Sequence, residues 1–180
     1  MANPEKSGGA SVVSAVGLSA PSCIQMSCRM IAHVLPNCMP PRIVVDTSVF
    51  IAAILSPAGE NRDILRACLL GRARPLVGAA LFHEYEDLLS RSALMAKSPL
   101  DASERQTLLE SFLSVSDWVK VYFLWRPNLP DEADNHLIEL ALAGSAETIV
   151  TNNLKDLQHG ELRFPGLKIQ SPRQFLATLP

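Results

Sequence analysis

No stretch of this chain stays apolar for the ~18 residues that a membrane-spanning helix needs, because Ser, Pro, Gly or a charged residue interrupts every candidate. A soluble, cytoplasmic protein with no membrane partner is therefore expected. An excess of positive charge is also missing: Lys and Arg total 16 against 18 for Asp and Glu, giving a net charge of −2 and a pI near 6.1. Without a bulk basic field, a nucleic-acid partner must be held locally, by a patch or through a metal ion. Cysteine is scarce. Cys23, Cys28 and Cys38 with His33 read C-x4-C-x4-H-x4-C, looser than the usual zinc pairing, and free thiols in a reducing compartment are the preferred reading. Histidine is scarce too, and His83 and His159 read as surface or loop residues.

What is present is enough for a core. The 180 residues are 48% hydrophobic and 19% charged, which suits one globular domain. Residues 1–40 stand apart: rich in Ser, Ala, Gly and Pro, they show no sustained period and read as a disordered N-terminal extension. The apolar-leaning "ASVVSAVGLSA" after Lys6 weakly resembles a signal peptide, but Ser and Gly dilute it and Glu5 is atypical. Met39 directly precedes "PPRIVVDTS" and offers an alternative start. The folded domain is expected over 41–180.

From Pro40 onward, strand-like and helix-like segments alternate. "RIVVD" is a short β-branched strand, and "TSVFIAAIL", apolar on all sides, suits a buried helix. "ENRDILRACLLGR" puts Ile64, Leu65, Cys68 and Leu69 on one stripe and closes on Gly71. "RPLVG" is a second strand and "AALFHEYEDLLSR" an amphipathic helix. Ser103 can cap a helix carrying Leu108, Leu109, Phe112 and Leu113. "WVKVYFL" alternates like a strand. "PDEADNHLIELALAG" is a helix with Pro130 at its start and Gly144 at its exit. "TIVTN" and "LKIQ" are short strands, and Ser171 with Pro172 opens a closing helix. This order predicts an α/β fold, a three-layer α/β/α sandwich around a mostly parallel sheet.

In such a sheet, function gathers beyond the carboxyl ends of the strands. Asp46 ends the first strand, while Asn152, Asn153 and Asp156 follow "TIV", so both groups face the same rim. Asp46 has two readings, a helix cap with Thr47 and Ser48 or a functional acid. In the helix after Pro130, Ala133, Leu137, Ile138, Ala141 and Leu142 define the apolar face with Asp134 near its centre, and Glu132, His136 and Glu139 on the other side. A core-facing Asp134 points to function; the competing role is the N3 acid of a capping-box-like pair with Asp131, itself a cap or an outer-shell acid. Glu84 lies at the border of a buried stripe of Leu81, Tyr85, Leu88 and Leu89 and is the acid of that helix best placed to reach inward. Several ionised carboxylates on one rim repel each other, and a divalent cation removes the conflict. Oxygen ligands without His or Cys suit Mg²⁺ or Mn²⁺.

The segments "IVVDTSVFIAAILSP", "LFHEYEDLLSR", "DEADNHLIELALAGSAETIVTNNLKDL" and "SPRQFL" together resemble the PIN-domain nucleases, in particular the branch of bacterial toxin-antitoxin toxins, from about Arg42 to Leu179. The resemblance implies a compact PIN-like fold and a VapC-like, metal-dependent endoribonuclease acting on RNA with Mg²⁺ or Mn²⁺. Carried over by position, the acids are Asp46, Glu84 and Asp134 as catalytic metal ligands, with the fourth position in "TNNLKD". There the family commonly has Asp where this chain has Asn153, and often another acid at the position of Asp156. Asp131 is an auxiliary ligand. Asn153 neutralises less charge than Asp, which lowers affinity for a second ion. The resemblance further implies a small cognate antitoxin and a homodimer. "DEAD" is not a helicase motif here, because no Gly-rich Lys loop accompanies it.

Other classes fit less well. A haloacid-dehalogenase-like phosphotransferase wants a second Asp two residues after the first, where this chain has Ser48; a receiver-like domain wants further acids and a Lys at a later strand end. The serious rival is a catalytically weak PIN-fold module that binds RNA or protein, and Asn153 is the feature that supports it. Arg62, Arg66, Arg72, Arg74, Arg91, Lys97 and Lys155 suit either phosphate contact or solvated helix faces.

Overall fold

In the computed structural model the described residues are 39–124, 129, 134–158, 162 and 164–179, all within the unit Met39–Pro180. Five parallel strands, β1 (Arg42–Val45), β2 (Arg74–Val77), β3 (Asp117–Trp118), β4 (Thr148–Val150) and β5 (Lys168–Gln170), form one sheet in the order β3-β2-β1-β4-β5. Val45 stands opposite Val150, so β1 and β4 end in step. Successive side chains of a strand point to opposite faces, yet Ile43, Val44 and Val45 are all fully buried, as are Ile149 and Val150. Both faces are therefore covered, which is the expected α/β/α sandwich. Each such Val or Ile contributes about 1.5–3 kcal/mol relative to an exposed position.

The helices are α1 (Thr47–Leu55), α2 (Glu60–Leu69), α3 (Ala79–Ser90), α4 (Ser92–Met95), α5 (Ala102–Ser114), α6 (Asn135–Ala143), α7 (Leu154–Gln158) and α8 (Pro172–Leu176). The apolar α1 is buried along most of its length, and α6 packs on β1, β2 and β4. Ser171 opens α8 with a reciprocal bond to Gln174 and Pro172 in the first turn, as its sequence predicts. Among the described residues no helix is long and apolar enough to cross a membrane.

Several expectations need correction. The cap of α5 is Asp101, not Ser103: its carboxylate accepts from Glu104 N while Glu104 returns a bond to Asp101 N, a pair Ser103 cannot make. "WVKVYFL" is not a full strand. After Val119 N donates to Val77 O at 2.8 Å, β2 has ended and its chain turns into α3, so among the described residues 120–124 pair with no strand. Leu69 is exposed rather than part of the buried stripe of α2. Gly144 does not supply the positive φ that ends α6; Ser145 does, at φ 52. Glycine is needed at 144 for space, since a Cβ there would overlap Leu76 Cδ1.

Candidate active site

β1 carries Asp46 to the carboxyl rim, where its N–H donates to Val150 O at 2.9 Å. The residue occupies the N-cap position of α1, but its carboxylate makes no capping bond. Instead, Oδ1 accepts from Thr47 Oγ1 at 3.1 Å, and Oδ2 accepts from Ser48 Oγ at 2.5 Å and Thr151 Oγ1 at 2.6 Å. At 7% exposure an ionised carboxylate has lost most of its water, and these hydroxyl donors replace it. Thr151 is fully buried at the end of β4, so the two central strands hold one carboxylate between them.

The placement of Glu84 follows from its neighbour Tyr85. Tyr85 is buried, stacks on Phe50 of α1 at 4.4 Å between ring centroids, and donates its hydroxyl to Val45 O at 2.5 Å. Burial, then the negative charge of Asp46, with smaller effects from Cys68 and Glu84, hold the Tyr85 pKa well above its usual value, so the phenol stays a donor. This pins α3 to the end of β1 and sets Glu84 Oε1 3.5 Å from Thr47 Oγ1. A hydroxyl has one hydrogen, so Asp46 and Glu84 compete for Thr47. The second oxygen of Glu84, Oε2, is buried without a formed hydrogen bond and lies 3.2 Å from His136 Nε2 of α6, an ion pair when His136 is protonated.

His136 is the residue that helical periodicity missed. Both it and Glu139 were expected on the side of α6 away from the core, yet the His136 side chain is only 11% exposed and Glu139 is 3% exposed. The cause is the packing of α6 on β1, β2 and β4: from Leu137 to Ala141 every residue is buried, so no single polar face exists. Asp134 is half-buried and precedes α6 at its N-cap position, with no side-chain capping bond, rather than standing at N3. Pro130, Asp131 and His159 lie outside the described residues.

Beyond β4, Asn153 N donates to Thr151 Oγ1 at 2.8 Å, and the Asn153 amide donates to Asp156 Oδ2. Both side chains are exposed at the start of α7. Asn152 bonds to Ser48, through its N–H at 3.2 Å and its amide at 3.1 Å. Among the described residues no three His, Cys, Asp or Glu side chains gather as a metal-binding group. Asp46 and Glu84 are linked through Thr47; Asp134 and Asp156 do not complete a cluster of three with them. The oxygen donors and the shortage of hydrogen-bond donors around Glu84 nevertheless fit a hard divalent cation. Of the basic residues, Arg62, Arg66, Arg74 and Arg91 bond to Ala53 O, Asp63, Asp117 and Asp87.

A family model described as PIN domain matches residues 42–155, more than half of the chain and the span from β1 into α7. The chain belongs to the PIN domain family. PIN domains are nucleases, and the matched span contains Asp46, Glu84, Asp134 and Asn153 of this PIN domain. No curated protein matches it. Among solved structures it resembles VapBC2 from Rickettsia felis bound to a DNA fragment from their promoter, at 18% identity and a TM-score of 0.48, covering 72% of this chain and 98% of that one.

Proposed function

We propose that this PIN domain is a divalent-metal-dependent endoribonuclease, hydrolysing RNA phosphodiesters as the toxin of a cytoplasmic toxin-antitoxin pair. The observation that carries the hydrolytic reading is the single hydroxyl hydrogen of Thr47, which faces Asp46 at 3.1 Å and Glu84 at 3.5 Å. Two carboxylates from different elements are thus drawn together with too few donors between them. Asp46 and Glu84 would hold the ion, with Asp134, Asp156, Asn153 and Asp131 as the further candidates. Bound Mg²⁺ or Mn²⁺ supplies Lewis-acid polarisation of a phosphodiester and acidifies water. Thr47, Ser48 and Thr151 orient the Asp46 carboxylate, Tyr85 fixes the helix that bears Glu84, and His136 contacts the remaining Glu84 oxygen. The toxin role, the small antitoxin and the homodimer rest on the sequence resemblance.

The test compares wild type, Asp46→Asn and Glu84→Gln on structured RNA with Mg²⁺ or Mn²⁺ and with a chelator. Cleavage is expected only with metal, falling by roughly 100-fold or more in either variant. Cleavage that persists in chelator, or in both variants, would refute the proposal.

A second reading, a PIN-fold RNA-binding or protein-interaction module with little catalysis, is favoured by one observation: Asn153 stands in the fourth position and spends its amide on Asp156. RNA retention by wild type without cleavage under any divalent metal is the outcome it predicts.

A further inference from the structure

Past its two ladder residues, β3 runs on as a bare edge. After Val119 N donates to Val77 O, residues 120–124 continue without a turn or bend, and among the described residues their backbone forms no hydrogen bond. Exposure alternates along the stretch, with Trp118, Lys120 and Tyr122 exposed and Val119 and Val121 half-buried. Lys120 Nζ lies 5.1 Å from the centre of the Tyr122 ring, two residues on, as same-face neighbours of a strand do. The segment therefore has the form of a strand that continues after its neighbour β2 has ended.

The backbone groups of a strand point alternately to its two sides. Because the Val119 N–H is turned to β2, those of Lys120, Tyr122 and Leu124 are turned away from it, along the free edge. The side chains there are large and apolar: Trp118 is 60% exposed, Tyr122 75%, Phe123 78% and Leu124 68%. Free edges are usually guarded by proline or by several charges, yet 118–124 contains no proline and a single charge, Lys120. So little charge gives a foreign partner of opposite sign almost nothing to recognise. An edge of this kind matches a copy of itself.

We propose that residues 120–124 pair antiparallel with the same edge of a second copy of this chain, joining the two sheets into one. Charge selects the register. A two-fold axis through Lys120 or Val121 brings the two ammonium groups directly opposite or diagonally adjacent, which is unfavourable. An axis through Tyr122, the middle of the bare stretch, instead sets Lys120 opposite the partner's Leu124 and Tyr122 opposite the partner's Tyr122. Val121 then meets the partner's Phe123, so apolar groups face each other on both sides of the joined sheet. The homodimer named above rests on sequence resemblance and has no assigned surface; this edge supplies one, and it does so whether or not the chain cleaves RNA.

The experiment is analytical ultracentrifugation of the full chain, without RNA or metal, over a range of protein concentrations. Wild type should sediment as a dimer. Tyr122→Lys, which opposes two ammonium groups at the axis, and Tyr122→Pro, which removes an outward N–H, should each weaken the dimer by about tenfold or more. Tyr122 is exposed and its backbone is unbonded, so neither change disturbs the core. Amide hydrogen exchange of wild type supplies a second readout that needs no variant. In the dimer the amides of Lys120, Tyr122 and Leu124 should exchange about tenfold or more slowly than those of Val121 and Phe123, and dilution should erase the difference. A monomeric wild type overturns the proposal and leaves the edge to a strand of another protein. A dimer indifferent to both Tyr122 variants, or exchange without the alternation, overturns it too and places the dimer contact elsewhere. Cleavage is scored separately: a Tyr122-dependent dimer that cuts no RNA refutes the nuclease alone, and a metal-dependent nuclease that stays monomeric refutes this edge alone.

Discussion

Tyr85 donates its hydroxyl to the carbonyl oxygen of Val45 at 2.5 Å, and through that bond the helix bearing Glu84 is tied to the residue before Asp46. The bond lies wholly inside the core, where Phe50 and Phe112 surround the ring. It serves both stability and the spacing of the two acids.

Tyr85→Phe keeps the ring and removes the hydroxyl. It should lower stability by about 1 to 3 kcal/mol, because a buried carbonyl loses its donor, and should reduce metal-dependent cleavage by more than the lost folded fraction explains. Denaturant unfolding with parallel rate measurement reads both effects. A variant as stable and as active as wild type would show that packing alone sets α3.

At the amino edge of the sheet, Asp117 meets Arg74 at 2.7 Å and Arg42 at 3.3 Å. The hydrogen bond from Arg74 is the main influence holding the Asp117 carboxyl below its usual pKa; burial opposes it, and the charges of Arg74 and Arg42 add to the lowering. A lowered native pKa means the unfolded chain binds the proton first as pH falls. The stabilisation is therefore complete above the ordinary carboxylate range of about 4 and disappears as pH drops through the lower native value. Melting temperatures between pH 6 and pH 2.5 should converge for wild type and Asp117→Asn at the acid end. A difference that stays constant across the range would contradict the assignment.

Asn153→Asp replaces an amide donor with a second carboxylate facing Asp156. Without metal, the like charges should lower the melting temperature. With Mn²⁺ the variant should gain more degrees than wild type, because the added carboxylate neutralises more of the ion's charge. Equal metal-induced shifts in the two proteins would place the ion away from Asn153.

The positions of the candidate acids were more legible in the sequence than their surroundings. Asp46 was legible because three β-branched residues precede it and polar hydroxyl residues follow, so strand end and acid coincide. Glu84 was legible because a helical stripe places it at the edge of burial, beside Tyr85. His136 and Glu139 were not, since periodicity presumes one buried face and α6 is buried on several sides by β1, β2 and β4. The alternation of "WVKVYFL" misled for a related reason: a strand also needs a neighbour, and β2 stops at Val77. Gly144 has the form of a helix stop, but its necessity lies in Leu76, distant in sequence.

The Arg42–Asp117–Arg74 bridge at the amino edge occupies the opposite end of the strands from Asp46, Gly78 and Thr151. Because every strand runs the same way, the charges that brace the sheet and the charges assigned to chemistry are segregated by a strand's length. Changes at one pole should combine almost additively with changes at the other. The fold can thus drift in heat tolerance through its amino pole while the pole that bears Asp46 is left alone, and a laboratory variant can be hardened by the same route.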